Sequence, residues 1–306
     1  MHLTPPITQL APAKINLFLH ITGKRPDGYH NLQTVFRLID LYDTLTFQPT
    51  DQPIGEGNMP IRLNDDPTIT QDLEQNLIVK ASGALFAFAQ QHQLIKADEL
   101  AKLPIIDIHL DKKIPMGAGL GGGSSDCATT LMTLNQLWQL GMTSAQLQAI
   151  GATLGADVPI FIFGKDAIAE GIGEVLTPIA LPPQQLLLLK PNAHINTKQL
   201  FAHQNLQRNC PSFAHEFLQH HNHEFTQQLS QNFGNVFEPV VTDLSEAVND
   251  ALAYLHTLAN VTHTTPRMTG SGSCVFLPLP DDMTSSILEK WQADSPCQAW
   301  QVKTLS

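Results

Sequence analysis

The sequence has few basic residues and no long apolar run, and each absence excludes a class of protein. Its 306 residues include 17 Lys and Arg against 28 Asp and Glu, which gives a formal net charge of −11. A nucleic-acid-binding groove needs a basic stripe, so we expect no nucleic-acid partner. No run of about 18 apolar residues occurs, so we predict no membrane-spanning helix and no membrane partner.

Cysteine is scarce, and the start of the chain does not resemble a secretory signal. Four cysteines lie far apart without a CxxC spacing, which is unlike a zinc site or a disulfide framework. The first residues, MHLTPPITQLAPAKIN, lack the basic-then-apolar layout of a signal peptide. From both observations we expect a cytoplasmic protein. The oligomeric state is left open.

What the sequence does contain is a mixture of strand and helix patterns. Period-2 alternation predicts strands in PAKINLFLHIT and IIDIHLDKKIP, and helical spacing predicts a helix in NLIVKASGALFAFAQQH. We also expect a loop or hairpin over residues 52–72, a strand at VPIFIF and a helix over residues 213–230. These patterns predict an α+β protein of two domains, divided near PIALPP into residues 1–182 and 183–306.

A glycine-rich stretch, PMGAGLGGGSSDCATTL, begins at Pro115 between a predicted strand and a predicted helix. Its five glycines leave the backbone without side chains, so a ligand can approach the main chain closely. The last residues of the loop fall at a helix N-terminus, where free N–H groups and the helix dipole favour an anion. Ser124 and Ser125 add hydroxyl groups that can donate hydrogen bonds or hold a cation. The stretch therefore predicts a phosphate-binding loop.

The loop does not match the commonest phosphate-binding motifs. GAGLGG satisfies the dinucleotide pattern, but no acidic residue occurs between Asp126 and Asp157 to hold a ribose, which weakens an NAD-dependent oxidoreductase as the alternative. A Walker-type loop needs Gly-Lys-Ser/Thr, and here Ser-Ser-Asp follows the glycines. The HRD and DFG motifs of protein kinases do not occur.

Three stretches in chain order resemble the signatures of the GHMP kinases. They are PAKINLFLHITGKRPDGYHNLQTVF near the start, PMGAGLGGGSS, and TGSGSCVF over residues 269–276. The resemblance implies a small-molecule kinase that uses ATP and Mg²⁺ to phosphorylate an alcohol. It also implies a two-domain α+β GHMP fold, with an N-terminal ribosomal-protein-S5-like domain and a C-terminal ferredoxin-like domain.

Further stretches narrow the resemblance within that family. RPDGYH, GADVPIF and QRNCP resemble members that phosphorylate the 2-hydroxyl of a cytidine diphosphate-linked methylerythritol in non-mevalonate isoprenoid precursor biosynthesis, giving the 2-phosphate and ADP. Homoserine kinase and the mevalonate-pathway kinases are less favoured, because the RPDGYH turn implies a cytosine clamp that their substrates do not need. The presence of both Lys14 and Asp157 weighs against a non-catalytic nucleotide-binding regulator.

Lys14 and Asp157 are the predicted catalytic residues. Lys14 lies in an apolar strand, where an unpaired ammonium would be costly, so an acidic partner is expected and Asp157 is assigned to it. By resemblance, Asp157 is the catalytic base toward the substrate hydroxyl. Lys14 would then hold the carboxylate and the hydroxyl in place and offset developing charge. The alternative is a structural ion pair without chemistry.

The resemblance also assigns residues to the cytidylated alcohol. Asn16, on the same strand face as Lys14, would hydrogen-bond the erythritol part. Tyr29 would stack on the cytosine, His30 would hydrogen-bond its edge, and Phe201 would cover the opposite face with Thr197 nearby. From the residues alone, Tyr29 could equally be a surface turn residue and Phe201 a core residue.

By the same resemblance ATP lies against the loop backbone, with its adenine near Asn76 and Lys112. The loop residues expected to bind ATP are Pro115, Met116, Gly117, Ala118, Gly119, Leu120, Gly121, Gly122, Gly123, Ser124 and Ser125. For Lys112 and Lys113 a solvated surface pair is the equal alternative. Some family members hold Mg²⁺ with a glutamate, but Glu170 and Glu174 lack a matching motif, so the metal ligands stay open.

The segment QHHNHEF, with His220, His221 and His223, invites interpretation as a metal site. On a helix these three side chains cannot converge, and no His-Glu-x-x-His spacing occurs. A solvated polar face is the favoured interpretation.

Overall fold

The computed structural model describes residues 5–55, 59–64 and 72–305. Over this part of the chain the strands are β1 (Ile7–Lys24), β2 (His30–Pro53), β3 (Ile61–Asn64), β4 (Pro104–Asp111), β5 (Ala167–Glu170), β6 (Val175–Pro178), β7 (Gln185–Lys190), β8 (Arg267–Met268), β9 (Val275–Leu279) and β10 (Gln298–Lys303). The helices are α1 (Leu77–Gln91), α2 (Ala97–Leu100), α3 (Gly122–Leu137), α4 (Ser144–Leu154), α5 (Val158–Phe163), α6 (Thr197–Ala202), α7 (His215–His220), α8 (His223–Thr226), α9 (Glu238–Leu244), α10 (Glu246–Thr262) and α11 (Ser285–Ala293). The predicted α+β class is confirmed.

The chain divides into two compact units, each built from separate stretches of sequence. Unit 1 comprises Met1–Ala13, Leu41–Ile114 and Gly121–Gly164, and unit 2 comprises Lys14–Asp40, Pro115–Leu120 and Lys165–Ser306. The long strands β1 and β2, which pair with each other, contribute residues to both units. The predicted domain boundary at residue 182 stays a prediction.

Unit 1 places helices beside a small sheet. Strand β4 pairs in parallel with β3 and antiparallel with the second half of β2, from Thr44 onward. In β4, Ile106, Ile108 and Leu110 are buried in alternation, as a period-2 pattern requires. Helices α1, α3, α4 and α5 pack on one another. Trp138, at the end of α3, is fully buried.

The predicted strand at VPIFIF is wrong, because these six residues form helix α5. A short, wholly apolar run carries no periodicity that separates a buried strand from a buried helix. Pro159 stands in the first turn, where its missing N–H costs nothing, and Gly164 ends the helix at φ 70°. Gly151 lets α4 approach α5 closely, since a Cβ there would lie 2.7 Å from Cγ1 of Val158.

Unit 2 contains two sheet regions and its own apolar core. The first half of β2 pairs antiparallel with β5, which pairs with β6. A second, antiparallel sheet has the strand order β10-β7-β9-β8, and the four consecutive leucines of β7 are buried. Helices α9 and α10 contribute Val241, Leu252 and Leu255 to the core, which also contains Leu187 and Leu277 of the sheet.

Two other expectations need correction. The loop or hairpin predicted over residues 52–72 contains strand β3, which pairs in parallel with β4; residues 56–58 and 65–71 lie outside the described part. The single helix predicted over 213–230 is instead two short helices, α7 and α8, separated at His221 and Asn222. His221 ends α7 with non-helical dihedrals, and its Nδ1 bonds the carbonyl of Phe217.

In the described part of the chain, no helix combines the length and the apolar character that crossing a membrane requires. The same residues contain no cluster of three or more His, Cys, Asp or Glu side chains arranged to hold a metal ion. In the 220–223 segment, Nδ1 of His220 forms a hydrogen bond with the Glu216 carbonyl of its own helix.

Candidate functional site

At three positions the glycine loop adopts a backbone conformation that strongly favours glycine. Gly117, Gly119 and Gly121 have φ values of 63°, 78° and 72°, in the left-handed region. Helix α3 begins at Gly122 immediately after them, so the first N–H groups of the helix lack intrahelical partners. The predicted order of strand, glycine loop and helix is therefore present.

The first part of the loop packs against the Thr269–Gly272 turn within unit 2. A Cβ on Gly119 would collide with the carbonyl oxygen of Thr269, and one on Gly270 would lie 2.9 Å from the carbonyl oxygen of Gly119. The N–H of Cys274 donates to the Ala118 carbonyl at 3.1 Å. The Thr269–Gly272 turn is therefore in direct contact with the glycine loop.

Asn235 binds the backbone of this turn. Its Nδ2 donates to the carbonyls of Met268 at 2.9 Å and Gly270 at 2.8 Å. Glu238 Oε2 accepts from the N–H of Met268 at 2.6 Å, and burial raises the pKa of this carboxyl. The turn is therefore fixed by the amide of Asn235 and the carboxyl of Glu238, and the first part of the loop packs against this turn.

The second part of the loop is the start of α3, in unit 1. Ser125 is fully buried, and its Oγ has no hydrogen-bond partner among the described residues. A Cβ on Gly155 would lie 3.7 Å from Ser124 Oγ, so the segment that leads to Asp157 is next to these serines. A buried hydroxyl without a protein partner fits a phosphate oxygen or a cation as its ligand.

Asn76 lies at the same end of α3. A Cβ on Gly123 would lie 3.7 Å from Cδ1 of Leu77, the residue after Asn76. Asn76 caps helix α1, because its Oδ1 accepts from the N–H of Ile78 at 2.9 Å. Unit 1 thus brings Asn76 beside the first turn of α3, as a role in binding the nucleotide would require.

Lys112 is held by two carboxylates. Its Nζ lies 2.5 Å from Asp43 Oδ2 and 2.6 Å from Asp126 Oδ2. Asp43 Oδ1 also accepts from the N–H groups of Lys113 at 2.6 Å and Ile114 at 2.8 Å. Lys112 is therefore not part of a solvated surface pair, whereas Lys113 is exposed and pairs with Asp111.

This carboxylate–lysine cluster joins the two ends of the glycine loop within unit 1. Asp43 binds the chain just before the loop, and Lys112 reaches Asp126 in the first turns of α3. Burial raises the pKa of Asp126 to about 7; Lys112 opposes the rise and Asp43 adds to it. Two carboxyl groups that share one ammonium ion favour keeping a proton on one of them.

Lys14 is buried beside the first part of the loop. Its Nζ donates to Asn16 Oδ1 at 2.8 Å and to the Gly119 carbonyl at 3.2 Å, and it lies 5.1 Å from the centre of the Phe36 ring. The N–H of Lys14 donates to the Leu120 carbonyl at 2.9 Å. Unit 2 therefore brings Lys14, Asn16 and the loop together.

Asn16 has polar partners on both sides of its amide. Besides Lys14, its Nδ2 donates to Thr34 Oγ1 at 2.9 Å, and its backbone N–H donates to Thr269 Oγ1 at 2.8 Å. Asn16 thus connects Lys14 to the turn that supports the loop. Its predicted contact with the erythritol part of a substrate stays a prediction.

Asp157 stands at the N-cap position of α5 and is half-buried. Its carboxylate makes no cap hydrogen bond to that helix. A simple helix-end role, the alternative to a catalytic one, would use such a bond. The predicted pairing of Asp157 with Lys14 stays a prediction.

The residues predicted to bind cytosine lie at the start of β2 and in α6. Tyr29 is 60% exposed, at the end of a turn that Gly28 makes with φ 90°. The rings of His30 and Phe201 are stacked, with centres 5.1 Å apart and planes inclined by 20°. Nε2 of His30 is buried without a partner among the described residues. Unit 2 therefore brings His30 and Phe201 together and leaves the Tyr29 ring open to a ligand.

Thr197 lies next to the turn that supports the loop. Its Oγ1 is 2.8 Å from Ser271 Oγ, and a Cβ on Gly117 would lie 3.6 Å from Nδ1 of His194.

The candidate magnesium ligands Glu170 and Glu174 bind other groups of the protein. Glu170 binds Gln33 and His215, and Glu174 accepts from the N–H of Ile172.

Several interactions that shape the site were not predicted from the sequence. Asp43 and Asp126 are far apart in the chain, and no spacing rule connects them. Arg208, in the QRNCP stretch, bonds the backbone of Phe201. The sequence showed only that Asp126 and Arg208 lie within or next to a motif, and it did not show which groups they bind.

Comparisons with known proteins agree with this architecture. The family model described as GHMP kinases N terminal domain matches residues 76–165. The 4-diphosphocytidyl-2-C-methyl-D-erythritol kinase of Psychrobacter cryohalolentis is 50% identical, covering 98% of this chain and 97% of its own length. The enzyme of the same name from Acinetobacter baylyi is 43% identical, covering 97% and 94%.

Solved structures give the same picture at the level of the fold. A crystal structure of 4-(cytidine 5'-diphospho)-2C-methyl-D-erythritol kinase matches with a TM-score of 0.74 and 28% identity, covering 98% of this chain and all of that one. Methanococcus jannaschii mevalonate kinase matches with a TM-score of 0.67 and 13% identity, which shows a shared fold alone. Because 50% identity extends over nearly the full length of both chains, this protein belongs to the 4-diphosphocytidyl-2-C-methyl-D-erythritol kinase family of the GHMP kinases.

Proposed function

We propose that the protein transfers the γ-phosphoryl group of ATP to the 2-hydroxyl of 4-diphosphocytidyl-2-C-methyl-D-erythritol. The products are ADP and the 2-phosphate, in the non-mevalonate route to isoprenoid precursors. The observation that carries the proposal is the glycine loop, with three glycines at positive φ and Gly119 packed on the Thr269–Gly272 turn. We propose that the protein is localised in the cytoplasm, where its four free cysteines stay reduced.

The loop and the start of α3 bind the triphosphate in this proposal. Backbone N–H groups at the helix N-terminus donate to phosphate oxygens, and the helix dipole favours their charge. Ser125 fits a ligand because its buried hydroxyl lacks a partner among the described residues. We assign Ser125, with Ser124 beside it, to Mg²⁺. When bound, the ion supplies positive charge to the phosphate oxygens.

Asp157 and Lys14 act on the alcohol. Phosphoryl transfer proceeds through a loose transition state, so the protein mainly positions the reactants and stabilises charge. The Asp157 carboxylate accepts the proton of the 2-hydroxyl as the hydroxyl oxygen attacks the γ-phosphorus, and the bond from the γ-phosphorus to the bridging oxygen breaks to release ADP. Lys14, buried and oriented by Asn16 and the Gly119 carbonyl, adds positive charge near the loop.

The aromatic residues of unit 2 recognise the cytidine. Tyr29 offers an exposed ring for stacking on the base, and Phe201 is assigned to the opposite face. His30 Nε2, buried and without a partner among the described residues, is available to the base edge. Asn16 and Thr197 are assigned to the rest of the substrate.

An assay of ADP release over a panel of alcohols tests the proposal. The purified protein is given ATP, Mg²⁺ and, in separate reactions, the cytidylated methylerythritol, homoserine or mevalonate. We expect turnover with the cytidylated alcohol and a product phosphorylated at its 2-hydroxyl, identified by ³¹P NMR. Equal or higher kcat/KM with homoserine or mevalonate would contradict the proposal.

A further inference from the structure

Helix α6, which carries Phe201, is too short to hold its own shape. It has six residues, and Phe201 stands in its last turn. Isolated helices of this length are unstable in water, because nucleation costs more than so few hydrogen bonds return. The last carbonyls of a helix also lack partners within it. The position of the Phe201 ring therefore depends on contacts from outside the helix.

Arg208 supplies those contacts. Its Nη2 donates to the carbonyls of Phe201 at 2.8 Å and His203 at 2.7 Å, and its Nη1 donates to the carbonyl of Leu206 at 3.0 Å. A planar, always charged guanidinium can bind several acceptors in a fixed geometry, which a lysine ammonium cannot reproduce. Arg208 thus closes the C-terminal end of α6 and the turn after it.

The segment that follows Arg208 is itself fixed to strands β1 and β2. The N–H of Cys210 donates to the Ile21 carbonyl at 2.9 Å. Gln33 pairs with Phe213 in both directions, with its Nε2 donating to the carbonyl and its Oε1 accepting from the N–H, each at 2.8 Å. Arg208 is therefore the connection between a strand-anchored segment and the helix that carries Phe201.

Phe201 also contacts the start of strand β2, the strand that carries Gln33. His30 is the first residue of β2, and its ring stacks on that of Phe201. The rings of Phe237 and Phe201 also pack edge to face, with centres 5.0 Å apart. Of the three predicted cytosine-binding residues, His30 and Phe201 thus contact each other, and Arg208 fixes the backbone of Phe201.

Arg208 also contributes charge near His30. Burial lowers the pKa of His30, and the positive charges of Arg208 and Lys24 lower it further. On the turn that precedes His30, Arg25 and Asp27 form an ion pair at 2.9 Å. The imidazole is therefore biased toward its neutral form, in which one nitrogen donates and the other accepts.

We propose that Arg208 is a positioning residue of the cytosine site, which fixes the backbone of Phe201 and holds the Phe201–His30 ring pair for the base. The inference rests on the proposed function and adds to it a residue that does not touch the substrate. Its role is to remove the mobility of α6 before the substrate arrives, so that less ordering is needed on binding.

Two variants separate the hydrogen bonds of Arg208 from its charge. Arg208→Lys keeps the charge but loses the three-carbonyl geometry, and Arg208→Gln loses the charge as well. We expect KM for the cytidylated alcohol to rise about tenfold or more in both, given the usual strength of hydrogen bonds from charged groups. KM for ATP and kcat at saturating alcohol stay at wild-type values. Lys198→Gln, an exposed change on the same helix, is the control and leaves all three constants unchanged.

A pH profile distinguishes this role from a general structural one. With one cation removed, the pKa of His30 rises in Arg208→Gln and not in Arg208→Lys. The rise of KM for the alcohol at acid pH then begins at higher pH in the Gln variant only. Titration of the His30 ring by NMR checks the same shift without any assay of activity.

Binding of cytidine monophosphate by calorimetry keeps the inference testable whatever the reaction proves to be. Weaker binding in both Arg208 variants, with ATP binding retained, supports it. If both variants keep wild-type affinity for cytidine monophosphate, or if KM for ATP rises as much as KM for the alcohol, the inference is wrong. Failure of the wild-type protein to phosphorylate the cytidylated alcohol would instead contradict the proposed function, and the calorimetry and NMR results would still decide the role of Arg208.

Discussion

The glycine loop and the aromatic residues of unit 2 are built in opposite ways. In the loop, the backbone forms the surface, and side chains are absent where a Cβ on Gly119 or Gly270 would meet other backbone atoms. Around Tyr29, His30 and Phe201, the side chains form the surface, and Arg208 bonds the backbone carbonyl of Phe201. A Cβ at Gly119 or Gly270 would clash with neighbouring backbone atoms, whereas the ring of Tyr29 is exposed.

This difference follows from what each region would recognise. A triphosphate offers many equivalent oxygens, so backbone N–H groups in a fixed curve suit it and need no particular side chain. A pyrimidine offers a flat face and one polar edge, which aromatic rings and an imidazole match. Substitutions in the loop should therefore affect every reaction of the enzyme, whereas substitutions among the aromatic residues should affect only the cytidylated alcohol.

Gly119→Ala is the strongest test of the loop. A residue other than glycine at φ 78° is strained by about 1–3 kcal/mol, and the new Cβ would collide with the Thr269 carbonyl. We expect ATP binding and turnover to fall below detection, measured by calorimetry and ADP release. Gly83→Ala is the matched control, because a Cβ there meets no atom of the described residues within 4 Å. Helix α1 should become more stable by about 0.5–1 kcal/mol. Wild-type ATP affinity in Gly119→Ala would show that the loop does not bind the nucleotide.

Asp157→Asn comes next in expected effect. The variant keeps the size of the side chain but cannot accept a proton, so kcat should fall by about 10²–10⁴ while ATP binding is retained. Single-turnover kinetics and calorimetry with an ATP analogue measure the two effects. Asp98→Asn, an exposed change in the same unit, should leave kcat unaltered. Retention of more than about a tenth of wild-type kcat would remove the base assignment.

The sequence predicted the parts of this comparison unequally. Strong periodicity identified β1, β4 and α1, and the glycines identified the loop, because local patterns specify local structure. VPIFIF was predicted as a strand and forms a helix, since six apolar residues have no usable period. Gly151 and the packing of α4 on α5 decided its conformation, and such packing is not encoded in any short stretch.

Long-range pairs were outside the reach of sequence patterns. Asp43, Lys112 and Asp126 meet only after β2, β4 and α3 have packed. Lys112 was expected near the adenine, and its ammonium proves to be bound by two carboxylates. A lysine that follows a strand carries no local sign of which acid it will meet. Motifs therefore locate a site, and the supporting residues around it require the fold.

Tyr29→Ala tests the aromatic side of the comparison. Stacking on an aromatic ring is worth about 1–3 kcal/mol per base, so KM for the cytidylated alcohol should rise about 5- to 150-fold. KM for ATP should not change. Leu244→Ala is a suitable control, since Leu244 is 61% exposed against 60% for Tyr29. An equal rise in both KM values would place Tyr29 in support of the fold.

Asp126→Asn should have the smallest effect on catalysis of the four variants, because it changes how stability depends on pH. It tests the region at the end of the glycine loop. The pKa of Asp126 is raised by burial from 3.8 to about 7, so the folded protein keeps a proton that the unfolded chain loses in that range. Stability from this group is therefore present at low pH and lost as pH rises toward 7. Asparagine cannot ionise, so the variant lacks this loss.

The melting temperature, measured without nucleotide between pH 4 and pH 8, separates the two cases. The difference between Asp126→Asn and wild type should be smallest near pH 4 and grow in favour of the variant up to about pH 7, where Asp126 finally ionises. Asp98→Asn should run parallel to wild type throughout. Parallel curves for Asp126→Asn would mean that the carboxylate–lysine cluster holds Asp126 ionised. Charge pairing would then stabilise the end of the loop, in place of the hydrogen bonds of a neutral carboxyl.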